Sequence, residues 1–135
     1  MKKKFNRILL VDDDSATNFL HSMILKQLDC ADEIVAVENG LQALKYLQRA
    51  ESGGEFPRPD LILLDINMPR MNGWEFLKEY IKLESRYWGG KILLMLTASL
   101  STEEMELAEN TGLIHGFIKK PMTKTIAQKL IDDHA

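Results

Sequence analysis

The chain has 135 residues, 45% hydrophobic and 27% charged, and at ~100 to 200 residues per domain it forms one domain with a single core. One cysteine, Cys30, excludes an internal disulfide, and without a CxxC or Cys/His cluster the zinc-finger, iron–sulfur and thioredoxin-like classes fall away, leaving a reducing cytoplasm as the expected compartment. The net charge of −3 lacks the basic footprint of a direct nucleic-acid binder, and the apolar run after MKKKFNR breaks at Asp12-Asp13-Asp14, too early for a signal peptide or an inserted membrane span.

Lys2 to Lys4 with Arg7 form a small basic tip, read as a solvated end, before the first strand-length run, Ile8 to Val11. A segment opened by Ser15 follows, where Phe19, Leu20, Met23, Ile24 and Leu28 recur at helical steps and predict an inward stripe. The run Ile34 to Val37 ends at Glu38-Asn39-Gly40, and Asn39 caps a helix whose stripe is Leu41, Leu44 and Leu47. Two Gly and two Pro make Glu51 to Pro59 a loop. Leu61 to Leu64 is apolar throughout, as in a strand covered on both faces, and Trp74, Leu77 and Ile81 mark a third helical face closed by Gly89-Gly90. Ile92 to Leu96 is the fourth run, Ser101-Thr102-Glu103-Glu104 a capping box, and Gly116-Phe117-Ile118 a short fifth run stopped by Pro121. Thr123 then caps a last helix with Ile126, Leu130 and Ile131 inward.

Five strand–helix units predict an α/β fold, a (βα)5 doubly wound, parallel five-stranded sheet of flavodoxin-like order 2-1-3-4-5, whose ligands sit beyond the carboxyl ends of the strands. Those ends carry Asp12 to Asp14, Asp65, Thr97 and Lys119-Lys120. Converging carboxylates repel, so some are protonated or a cation lies among them, and an all-oxygen set suits Mg²⁺. An Asp carboxylate can attack a phosphoryl group to give an acyl phosphate, with Lys120 and the Thr97 hydroxyl on the phosphoryl oxygens. Taken singly, Asp14 or Ser15 is a helix cap, Thr97 a turn residue and Lys120 a surface lysine. Such readings do not explain why four of five strand ends bring phosphate and metal chemistry to one edge.

The segments Ile8-Leu9-Leu10-Val11-Asp12-Asp13, Asn39-Gly40-Leu41-Gln42-Ala43-Leu44, Pro59 to Pro69, Met71-Asn72-Gly73, Leu96-Thr97-Ala98 and Lys120-Pro121 cover nearly the whole chain. On them it resembles the receiver domain of two-component response regulators. The resemblance implies that Asp65 is the phosphoacceptor, that Asp13 binds the metal directly and Asp12 through water, and that the Asn67 carbonyl is a further ligand. Thr97 and Phe117 would be a switch pair, and Lys120 rather than Lys119 the family lysine. It departs from the pattern at Asp14, which blurs the frame of the acidic pair, at Met122, where an aromatic is common, and in the loops 51–59 and 86–90, which exceed the family minimum.

The implied function is a switch, not an enzyme in its own right, phosphorylated by a histidine kinase or histidine phosphotransfer protein. With the fifth helix ending at Ala135, the expectation is a receiver without an output domain, read by an unknown downstream protein, by relay to another histidine or by a phosphorylation-dependent dimer. The alternative is a Mg²⁺-dependent phosphohydrolase of the haloacid dehalogenase type, whose opening motif Asp12-x-Asp14 imitates. It lacks an acidic pair after Lys120 and leaves Asp65 without a role.

Overall fold

Leu61-Ile62-Leu63-Leu64-Asp65 has no polar side chain before its last residue, and all five positions are buried. This run is the central strand of a computed structural model that describes residues 5–51, 53–68 and 71–135; the lysines of the basic start and Pro69 lie outside these. The strands β1 (Phe5–Val11), β2 (Ala31–Val37), β3 (Leu61–Asp65), β4 (Lys91–Leu96) and β5 (Ile114–Lys119) form one parallel sheet in the order β2-β1-β3-β4-β5. This is the doubly wound sheet that the sequence predicts.

Alternation along β1 shows why both faces need cover: Ile8 and Leu10 join one core, Leu9 and Val11 the other. Helices α1 (Ser15–Gln27) and α5 (Lys124–His134) close the first, with Leu25, Leu130 and Ile131 buried in it. Helices α2 (Gly40–Leu47) and α3 (Gly73–Lys82) close the second through Ala43, Leu47, Phe76, Leu77 and Tyr80. Helix α4 (Thr102–Thr111) packs beside β5. The caps are local chemistry: Asn39, Asn72, Ser101 and Thr123 each accept a backbone N–H of the first turn, and Asn72 and Ser101 complete capping boxes with Glu75 and Glu104.

The expected faces hold in part: Ile24 and Leu28, Leu44 and Leu47, and Trp74 and Leu77 pack against the two cores, while other residues of the same stripes face out. On α1 the inward residues are Asn18, His21 and Leu25, while Phe19 is 57% exposed and Leu20 and Met23 are 44% exposed. Apolar residues occupy more than one side of this helix, so their spacing does not fix its orientation; the polar pair turns inward because it meets open carbonyls and N–H groups beyond the strand ends. On α2 and α3, Leu41 and Ile81 face out, and Ala43, Phe76 and Tyr80 take the inward positions. Asp14, not Ser15, caps α1. Arg7 is no solvated tip: its guanidinium reaches Glu33 and Glu51, each at 3.1 Å, and the Pro57 carbonyl at 2.9 Å.

The two long loops cover each other at the amino-terminal edge of the sheet. Phe56 meets Tyr87 edge-on at 4.6 Å, Arg86 lies over both rings, and Trp88 stacks on Tyr80 at 5.7 Å.

Candidate functional site

Register determines which residues meet at the opposite edge. Val11 pairs with Leu64 across β1 and β3, so Asp12 follows directly beside Asp65, and Leu96 pairs with Lys119, so Lys120 emerges next to the end of β4. Both aspartates are buried, with 4% of Asp12 and 1% of Asp65 exposed. The Asp13 carboxylate points to solvent, and carboxylate oxygens of Asp12, Asp13 and Asp65 all lie within 4.8 Å of one another.

Among the described residues, the Lys120 ammonium sits against this cluster. Lys120 Nζ is 2.7 Å from Asp12 Oδ2 and 3.5 Å from Asp65 Oδ2. Burial alone would lower the Lys120 pKa, but the hydrogen bond and charge of Asp12, followed by Asp65, outweigh it and raise the value. For Asp65 burial comes first and the Asp12 charge second, so its pKa is raised even though the Asn67 N–H, at 3.1 Å from Oδ1, and Lys120 oppose this. Lys119 is exposed, and it is the Lys120 ammonium that reaches the carboxylates.

Asp14 stands apart. Its carboxylate accepts from the Ala16 N–H and the Thr17 hydroxyl, at 3.1 and 2.7 Å, in capping α1, which leaves Asp12 and Asp13 as the acidic pair of the cleft. Asn67 lies exposed at the mouth and its amide donates to Thr97 Oγ at 3.4 Å, which places the Thr97 hydroxyl beside the β3 end. Phe117 is 44% exposed and shares a groove of about 410 Å³ with Thr97, Ala98 and Lys119. Gly73 closes the far wall, donating its N–H to the Ile66 carbonyl at 3.0 Å; a Cβ there would lie 2.7 Å from Ile66 Cα.

Two polar residues of this region escape a reading of apolar periodicity. Asn18 Nδ2 donates to the Asp12 carbonyl at 2.9 Å and to that of Val37 at 3.3 Å, and His21 Nε2 accepts the Met122 N–H at 3.0 Å. Burial lowers the His21 pKa, outweighing the opposing pull of the Asp12 charge with a smaller contribution from Lys120, in keeping with a neutral ring whose Nε2 accepts. The spacing Asn18, His21, Leu25 was the available signal: three positions on one helical face below the Asp14 cap.

The fold and this edge define a doubly wound α/β domain with a buried aspartate–lysine cleft at its switch point. Residues 8–132 match the response regulator receiver domain, and the chain belongs to that family. It is 30% identical over 128 residues to the chemotaxis protein CheY of Halobacterium salinarum, covering 94% of each chain. To response regulator Rcp1 of a Synechocystis strain it is 40% identical over 72 residues, which is 49% of that protein's length. Among solved structures, a two-component response regulator from Cytophaga hutchinsonii superposes with a TM-score of 0.80 at 28% identity, with 97% of both chains covered. The receiver domain of sensor histidine kinase PA1611 of Pseudomonas aeruginosa, described with a magnesium ion coordinated in its active site cleft, shares the fold at 22% identity and a TM-score of 0.74, covering 96% of both chains. The phosphohydrolase reading finds no support: Asp14 is engaged in capping, and Asp65 is the deepest carboxylate of the cleft.

Proposed function

We propose that this receiver domain is a phosphoacceptor switch modified on Asp65. The observation that carries the reading is Asp65 itself, buried at the end of the central strand with Asp12 on one side and Lys120 Nζ at 3.5 Å. A carboxylate oxygen of Asp65 attacks phosphorus, an O–P bond forms, and the bond from phosphorus to the donor nitrogen breaks with the electron pair leaving on the donor. Lys120 neutralises a phosphoryl oxygen, and the Thr97 hydroxyl, already beside Asn67, is placed to donate to another.

The donor set suits a hard dication. Among the described residues, three carboxylates against one lysine leave a negative excess in a largely buried site, all ligands are oxygen, and Asp13 and Asn67 open it to solvent for a metal that keeps its waters. Asp12, Asp13, Asp65 and the Asn67 carbonyl would hold Mg²⁺, whose charge offsets that of the transferring group.

The donor is a histidine kinase or histidine phosphotransfer protein, and the compartment the cytoplasm. Among the described residues no helix is long and apolar enough to cross a membrane. Modification occurs once per molecule rather than in repeated cycles, so the domain acts as a signal carrier. Rearrangement of Thr97 and Phe117 alters the face of α4, β5 and α5, where a downstream protein or a second copy reads it.

The test is the intact mass after incubation with acetyl phosphate and Mg²⁺. Wild type should gain one phosphoryl group and Asp65→Asn none; a gain retained in Asp65→Asn refutes the assignment.

A further inference from the structure

The shortest ion pair of the cleft joins residues 108 positions apart in sequence, Asp12 and Lys120, yet both are attached to one helix. Asn18 of α1 holds the Asp12 carbonyl at 2.9 Å. One turn further on, His21 Nε2 accepts the Met122 N–H at 3.0 Å, in a bond that is buried and spans 101 residues. Lys120 is thereby fixed from both sides, since its own N–H donates to the Leu96 carbonyl at 2.8 Å and the chain two residues later is tied to α1.

Resting on the phosphoacceptor reading above, we infer that His21 is a positioning residue for Lys120, holding the 120–122 turn so that one ammonium spans Asp12 and Asp65. The two distances make the span sensitive. Nζ lies 2.7 Å from Asp12 but already 3.5 Å from Asp65, so a retreat of half an ångström or so would leave the Asp12 bond intact and end the Asp65 contact. The His21 acceptor atom is committed to the Met122 N–H rather than to the cleft. Its effect therefore runs through the turn. A leucine at 21 would fill similar space, remove the acceptor and leave the buried Met122 N–H unpaired.

The experiment follows the rate of phosphorylation by acetyl phosphate at saturating Mg²⁺, read by intact mass, in wild type, His21→Leu, His21→Gln, Lys120→Met and the His21→Leu/Lys120→Met double variant. His21→Leu should slow the reaction roughly tenfold, the range expected when a charged group is displaced by a fraction of an ångström. His21→Gln keeps an acceptor of similar reach and should stay within about twofold of wild type. In the Lys120→Met background His21→Leu should have no further effect, which a merely destabilising substitution would not produce. Should His21→Leu not fold, His21→Asn replaces it, since its amide stops short of Met122, and the same slowing is expected. Equal rates in wild type and the loss variant, or the same fold-loss with and without Lys120, would overturn the inference. Absence of any modification in wild type would instead remove the phosphoacceptor reading.

Discussion

Replacing Lys120 with methionine keeps the length of the side chain and removes the cation from a cleft where Asp12 and Asp65 are almost fully buried. At an effective dielectric constant of about 20, the attractions at 2.7 and 3.5 Å are about 6 and about 5 kcal/mol, and two carboxylates within 4.8 Å of each other repel by at least about 3.5 kcal/mol. These are gross terms, opposed by several kcal/mol of desolvation per ion, so the expected net loss is that of a broken buried pair, ~3 to 5 kcal/mol in the metal-free protein at neutral pH. Asp65, whose folded-state pKa is already raised by burial, loses an opposing cation in the variant, so stability falls further as pH rises above the ordinary carboxylate value, and the gap to wild type should close in acid. Mg²⁺ should restore part of the loss, since ligand at a hundredfold over its dissociation constant stabilises by about 2.7 kcal/mol. Urea unfolding of both proteins at pH 7 and pH 4, with EDTA or Mg²⁺, measures all of this. A Lys120→Met protein as stable as wild type with EDTA at pH 7 would refute the reasoning.

Other expectations follow from the same geometry. Asp65 has a folded-state pKa above its ordinary 3.8, so its ionisation costs stability from that value upward; metal-free Asp65→Asn should unfold at a higher temperature than wild type at pH 7, with the difference vanishing in acid. Thr97→Ala should still accept the phosphoryl group on Asp65 but respond weakly to beryllofluoride in partner binding or self-association, because it lacks a hydrogen bond worth ~1 to 3 kcal/mol, enough to move the switch by one to two decades; an equal response in both proteins would exclude the Thr97–Phe117 pair. Gly73→Ala sets a methyl 2.7 Å from Ile66 Cα and 3.0 Å from the Asp65 carbonyl, so denaturant unfolding should show a loss of ~1 to 3 kcal/mol together with slower phosphorylation.

The topology, and which polar residues meet at the carboxyl edge, were readable because they depend on run length and on the residue that ends each run. Leu61 to Leu64 reads as a doubly covered strand and Ser101 with Glu104 as the opening of a helix, and both are found. Less readable was which way an apolar-rich helix turns. Phe19, Leu20 and Met23 face out while Ile24, Leu25 and Leu28 pack, so apolar count does not choose the face, and the outcome depends on Asn18 and His21 finding backbone partners on β1, β2 and the 120–122 turn, contacts made across long sequence separations. Arg7 misled for the same reason, since Glu33 and Glu51 become its partners only once β2 and the loop after α2 are in place. The frame of the acidic triplet was also ambiguous in sequence, and it is resolved by the cap that Asp14 makes on α1.

The central claim is that Asp65, among three carboxylates within 4.8 Å of one another, is the one that carries the phosphoryl group. Borohydride reduces an aspartyl phosphate to homoserine, leaving a stable mark at the modified residue. Peptide mapping of the protein after treatment with acetyl phosphate, Mg²⁺ and borohydride should find homoserine at position 65 and nowhere else; homoserine at position 12 or 13 would contradict the account.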